Sequence, residues 1–246
     1  MLHDHASPFF LASAIFFGAG LVKGVLGMGL PTFAMGWLGL LMPVAQAASL
    51  LTLPSLVTNL WQAIGPGPLR PLLRRLGTFQ MSIAAGVACS TLLPRLEDQT
   101  SRILLGGCLL AYGLLGAVGL RLPSTSHRAQ GVAGPLVGAV TGVITGLTGV
   151  FVLPAVPYLQ SLALDRHQFA QALGLSFTTS TIALAGLLLA RGDMHLSASI
   201  HSALAIPPAL AGMWVGQIIR DELSEAAFRK CFFLGMACLG ASLAVW

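Results

Sequence analysis

The feature that most restricts this chain is a series of long apolar stretches joined by short connections, at 9–28, 45–64, 78–94, 102–120, 131–150, 168–190, 196–218 and 228–246. Each approaches the roughly 20 apolar residues that a helix needs to cross a bilayer. Two shorter apolar pieces, 30–43 and 151–164, fall below that length. A compact water-soluble domain could not hide so much apolar surface. Of the 246 residues, 55% are hydrophobic and 9% charged, whereas soluble domains carry about 25% charged residues. The period-two alternation of a membrane barrel strand is absent. The predicted class is therefore an all-α polytopic membrane protein with about eight main apolar segments. The N-terminal stretch lacks a basic start and a convincing cleavage site, and reads as a retained first helix.

Charge adds orientation rather than chemistry. Lys and Arg number 13 against 8 Asp and Glu, but they scatter over the connecting loops. That pattern suits membrane topology and argues against a nucleic-acid partner. Cys89, Cys108, Cys231 and Cys238 lie in apolar segments without Cys-x-x-Cys spacing and read as small buried hydrophobes. The histidines, His3, His5, His127, His167, His195 and His201, form no metal constellation, and His201 reads as solvated or satisfied. No cofactor is implied. No phosphate loop, Gly-x-Ser-x-Gly or His-Glu-x-x-His occurs, so nothing positions ATP or a catalytic nucleophile.

The two halves resemble each other. Lys23-Gly24-Val25-Leu26-Gly27, leading to Pro31, matches Thr145-Gly146-Leu147-Thr148-Gly149, leading to Pro154. Ala45-Gln46-Ala47 matches Ala170-Gln171-Ala172, and Leu96, Asp98 and Arg102 match Leu223, Glu225 and Arg229. Three matches in one order, at an offset drifting only from 122 to 127, predict a duplication. It divides the chain into a first helical repeat at 1–121, a linker at 122–130 and a second repeat at 131–246. The stretch from Arg121 to Arg128, with Pro123, is the most polar between the halves.

If each short apolar piece turns back to the side from which its partner came, nine loop arginines and lysines fall on one side. These are Arg70, Arg74, Arg75, Arg121, Arg128, Arg166, Arg220, Arg229 and Lys230. Arg95, Arg102 and Arg191 fall on the other. Unbroken helices would divide the same residues evenly. The positive-inside rule selects the uneven arrangement: inverted repeats in an inner membrane, both termini and the 191–195 loop periplasmic, and 65–77 and 121–130 cytoplasmic.

The matched stretches hold Gly24, Gly27, Gly29 and Pro31 in one half and Gly146, Gly149 and Pro154 in the other. Glycine frees the backbone and proline removes a donor, so both stretches predict a broken or re-entrant helix. A half-helix N-terminus inside a membrane protein offers N–H groups to an anion, and such backbone survives only where it lines protein or water. The two breaks are expected to meet near the bilayer midplane.

Through these Gly/Pro stretches and the Asp98-to-Arg102 and Glu225-to-Arg229 landmarks, nearly the whole chain resembles the sulfite exporter TauE/SafE family. Met28 interrupts the glycine cluster in one copy, and Val150 and Phe151 replace it in the other. The resemblance implies movement of sulfite, organosulfonates or related sulfur-containing or carboxylate anions.

Lys23 is the one charge deep in an apolar stretch, directly before Gly24. An intramembrane ammonium is costly and is expected either to serve a substrate anion or to snorkel to an edge. The hydroxyl-rich helices add Thr52, Ser55, Thr58 and Asn59, and Ser176, Thr178, Thr179, Ser180 and Thr181. Of these Asn59, Thr179 and Ser180 join Thr145 and Thr148 as candidate substrate contacts. Apolar segments contain no Asp or Glu, which disfavours a carboxylate proton relay. The reading is an alternating-access anion permease and not an enzyme, with a membrane assembly subunit as the alternative. Substrate, direction, coupling ion and homo-oligomerisation stay open.

Overall fold

The structure, a computed structural model, describes residues 3–65, 67–119, 123–124, 127–194 and 196–245, with backbone alone at 3–9, 127–128 and 196–198. Every regular element among the described residues is helical. The first half contains α1 (His3–Leu26), α2 (Leu30–Leu41), α3 (Val44–Ala63), α4 (Leu69–Cys89), a 3-10 turn at Ser90–Leu92, and α5 (Asp98–Val118). The second contains α6 (His127–Thr148), α7 (Ala155–Gln160), α8 (Arg166–Arg191), α9 (Leu196–Leu204), α10 (Ile206–Ile219) and α11 (Glu225–Val245). Residues 122, 125 and 126 of the predicted linker, and His195, lie outside the described residues, and the end of the linker, from His127, is already the start of α6.

Five helices are long and apolar enough to cross a membrane, at Asp98–Val118, Ala129–Thr148, Arg166–Arg191, Ser199–Ile219 and Glu225–Val245. That is fewer than the eight expected segments, for identifiable reasons. α3 carries a stripe of Gln46, Ser49, Thr52, Ser55, Thr58, Asn59 and Gln62, and α4 opens with Arg70, Arg74 and Arg75, so neither reads as uniformly apolar. The first expected segment is represented by Phe10–Leu26, a shorter apolar helix, whereas the 196–218 stretch, though divided between α9 and α10, counts among the five as Ser199–Ile219. Large apolar side chains such as Trp61, Met81, Val132 and Trp214 point outward with most of their surface uncovered. Hydrocarbon, not water, suits such a surface. Cys89, Cys231 and Cys238 also lie exposed and Cys108 is half-covered, correcting the expectation that all four fill the interior.

Small residues set the closest helix contacts. A Cβ on Gly20 would stand 2.0 Å from the Ala209 carbonyl oxygen, and one on Gly24 2.3 Å from that of Met213. α1 and α10 thus run side by side in the same direction. α4 and α6 repeat the arrangement, with Gly86 against Ala139 and Gly142 against Ile83. Without a hydrophobic drive between helices in lipid, such approaches gain van der Waals contact over long lengths. α3 crosses α8 antiparallel, Gly174 lying on Ala63 and Ser55 beside Thr181. α5 meets α11 antiparallel through Gly106, Gly113 and Gly240. Inside α3, Pro54 leaves the Leu50 carbonyl without its helical donor. Ser202 of α9 supplies one at 2.8 Å.

The arginines fall at two ends. At one, called here the Asp98 end, Asp98 pairs with Arg102 at 3.1 Å and accepts from the Val44 N–H at 3.3 Å. There Arg95 pairs with Asp193 at 3.5 Å and donates to the Arg191 carbonyl, and Arg191 donates to the Ser90 carbonyl at 2.7 Å. At the other, the Arg166 end, Arg75 donates to the Leu162 carbonyl at 2.9 Å and to Gln130 at 3.2 Å. α2 runs back toward the Asp98 end, its Gly36 facing Leu109 and its Gly39 facing Leu105. α1 and α2 therefore form a hairpin.

Candidate substrate-binding site

α1 ends in a glycine turn. Gly27, with φ +73°, closes the helix through its N–H to the Lys23 carbonyl at 2.8 Å. Gly29, at φ +101°, then starts α2 without any side-chain cap. An L side chain at such φ values costs roughly 1–2 kcal/mol, so glycine is what allows this reversal. Pro31 has no N–H to lose and fits the first turn. The remaining N–H groups of that turn have no helical acceptor, and they carry the positive end of the α2 dipole. Thr32 adds a fully buried hydroxyl without a hydrogen-bond partner in the same turn.

Lys23 does not snorkel. Its side chain is buried, and Nζ donates to Asn59 Oδ1 and, at 3.2 Å, to Thr58 Oγ1, both on α3. Asn59 in turn donates to Ser55 Oγ at 2.9 Å, and Ser55 meets Thr181 of α8 at 3.3 Å. A polar chain thus links α1, α3 and α8 through the interior. An ammonium has three donors, and here two meet neutral oxygens. Among the described residues no carboxylate pairs with it. A buried charge without a counter-charge is expensive, and an anion would supply both the missing charge and the third acceptor. Ser180, beside Thr181 on α8, is another fully buried hydroxyl without a partner.

The second glycine turn copies the backbone of the first. Gly149, at φ +71°, donates to the Thr145 carbonyl at 2.8 Å. Its side chains differ. Where the first half has Lys23, Thr145 turns its hydroxyl onto the Thr141 carbonyl at 2.7 Å. Thr148 bonds the Ile144 carbonyl at 2.8 Å, and its oxygen accepts from the Val150 N–H at 3.2 Å. Gly146 packs on Ser90, and Pro154 precedes the six-residue α7. Thr179 is half-buried.

The two turns do not meet, contrary to the expectation from sequence. The Gly27 carbonyl accepts from Gln62 at 2.7 Å near the end of α3, while Gly149 lies against Ala48 near its start. Residues 48 and 62 of one helix are separated by about 21 Å at ~1.5 Å per residue. The cause is direction: α1 and α6 point toward opposite ends, so the glycines that terminate them do too. Of the candidates, Lys23 and Asn59 are brought into contact, and Gly27, Gly29 and Pro31 follow directly along the chain. Thr32 escaped the sequence reading, although its place after Pro31 in a helix-breaking stretch was the available signal.

A cavity of about 340 Å³ opens between α5, α7, α8 and α11, and its lining includes Met28, the residue between the two glycines of the first turn. At the Asp98 end a smaller cavity of about 140 Å³ reaches Gly149. Each glycine turn thus borders its own cavity. No cluster of His, Cys, Asp or Glu able to hold a metal occurs among the described residues.

The family model described as Sulfite exporter TauE/SafE matches residues 12–243, nearly the whole chain. No curated protein and no solved structure matches it. The chain belongs to the sulfite exporter TauE/SafE family, a family of membrane transporters.

Proposed function

From membership in a transporter family, we propose that this protein is a permease that moves small anions, sulfite, organosulfonates or related carboxylates, by alternating access. The bound anion lies between the Lys23 ammonium and the first turn of α2, with Asn59 and Thr58 fixing the lysine. The observation that carries this reading is the buried Lys23, held by two neutral oxygens and lacking a carboxylate. The anion neutralises it, and leaving costs the protein that compensation, so binding and conformational change are coupled through one charge.

The same reading takes the halves as inverted repeats in the inner membrane, with the termini periplasmic and the Arg166 end cytoplasmic. Support comes from the helix pairing. Exchanging α1 with α6, α4 with α10 and α5 with α11 turns each close contact into its counterpart. The separation of Arg75, Arg166 and Arg229 from Arg95, Arg102 and Arg191 follows the positive-inside split.

The test is flux by purified protein in liposomes against sulfite, sulfate, short-chain sulfonates and short carboxylates. Saturable uptake of at least one of these, with none in empty liposomes, is expected. Absence of flux for the whole panel would contradict the permease reading.

A further inference from the structure

We propose that the 340 Å³ cavity at the Arg166 end is a second anion site, separate from Lys23, that selects anions carrying an apolar group. The proposal rests on the permease reading above and assigns the residues that admit substrate at this end.

Small-molecule sites enclose roughly 300–1,000 Å³ and combine mostly apolar walls with a few placed polar groups. This cavity fits that description: Phe169, Phe233, Leu153 and Val156 form walls, and Arg166 and Arg229 contribute the charge. A bare sulfite would fill a small part of it. An alkyl or aryl sulfonate or carboxylate fills more, its oxyanion on the arginines and its tail against the aromatic rings.

The state of Arg229 points the same way. Glu225 stands one turn before it on α11, the spacing that favours an ion pair on a helix. The matching residues of the first half, Asp98 and Arg102, form that pair at 3.1 Å. Arg229 forms no ion pair with Glu225; it is half-buried and lines the cavity instead. Arg166, exposed at the start of α8, also lines it, while the neighbouring Asp165 spends its carboxylate capping that helix through the Gln168 N–H at 2.8 Å. Arg220, Asp221, Glu222 and Lys230, the nearby charged residues preceding and following on the chain, do not line the cavity, and neither does His167. Two guanidiniums therefore face one cavity with their donors available, and guanidinium geometry matches sulfonate and carboxylate oxygens. Tyr112, also in the lining, donates to Met28 Sδ at 3.6 Å, so the first glycine turn reaches the cavity through Met28.

The experiment is titration of benzenesulfonate and of sulfite into the full chain in phosphatidylcholine nanodiscs. Benzenesulfonate is expected to bind more tightly than sulfite. Arg229→Ala should weaken benzenesulfonate about tenfold or more, as loss of a charged hydrogen bond does, with Arg229→Lys intermediate. Phe233→Ala should weaken benzenesulfonate and spare sulfite. Arg70→Ala, which removes an exposed charge that does not line the cavity, should leave both unchanged. Thermal melting of each variant separates lost binding from lost folding. Equal weakening by Arg70→Ala, unchanged benzenesulfonate affinity in a folded Arg229→Ala or Arg229→Lys, or no benzenesulfonate binding would each overturn the site. If Lys23→Met alone abolishes binding, the cavity assignment fails while the permease reading stands. A last arm adds phosphatidylglycerol. Arg229-dependent competition by that lipid would assign the arginines to a lipid head group and overturn the soluble-anion assignment; its absence supports it.

Discussion

The two glycine turns share a backbone and differ in what stands beside it. Gly27 and Gly149 have φ values of +73° and +71°, and each donates to the carbonyl four residues earlier at 2.8 Å. At that earlier position the first half has a buried lysine and the second has Thr145. The helices opposite differ in step. Aligning Ala45–Ala47 with Ala170–Ala172 sets Thr58 and Asn59, which hold the ammonium, opposite Ala183 and Leu184. Charge and cradle are present together in one half and missing together in the other. On the proposed repeat, the backbone break is the common device, and of the two turns the first alone sets a buried charge beside it.

Moving the charge should break this comparison most severely. Thr145→Lys would place an ammonium where no amide is aligned to receive it, at a cost of at least about 2.5 kcal/mol on membrane insertion scales. Loss of folded protein in size-exclusion chromatography is expected, whereas Lys23→Thr should fold and fail to transport. Equal folding of both variants would show that the second half also holds a cradle.

Asn59→Asp tests the cradle from the other side. A carboxylate at this position gives Lys23 a permanent counter-ion, so the variant should melt at or above the wild-type temperature while anion affinity falls about tenfold or more. Retained affinity would mean that the substrate does not compete for this ammonium.

The smallest effects concern the turns themselves. Gly27→Ala meets open space, so only the positive φ penalises it, by roughly 1–2 kcal/mol. Gly149→Ala carries the same penalty and in addition brings its Cβ to 3.0 Å from Met35 Cε and 3.3 Å from Ala48 Cβ. Its melting temperature should fall further than that of Gly27→Ala; the reverse order would show that the first turn is the more tightly constrained.

Much of this was legible in the sequence for physical reasons. Apolar stretches of spanning length leave helices as the only solution once barrel alternation is missing, and Gly/Pro spacing located both chain reversals, since few other residues tolerate them. Lys23 and Asn59 stood out because burying either unpaired is costly. Their contact was not legible, because it joins α1 to α3 across 36 residues through packing that no local pattern encodes. The separation of the turns was missed for a similar reason: it depends on the opposite directions of α1 and α6, a global property. The unpartnered hydroxyl of Thr32 was hidden among many hydroxyls that, like Thr52 and Thr178, merely bond their own helix.

On the proposed mechanism Lys23 carries the anion. A charge about 4 Å from an anion at an effective dielectric near 20 contributes on the order of 4 kcal/mol before desolvation, and half of that is about thirtyfold in affinity. The most direct measurement is anion affinity of Lys23→Met and Lys23→Arg in liposomes, normalised to folded protein in the membrane. Lys23→Met should lose at least that much and Lys23→Arg should retain part of the wild-type affinity. Near-native affinity of Lys23→Met at near-native abundance would contradict this mechanism, and would leave the anion to backbone dipoles alone.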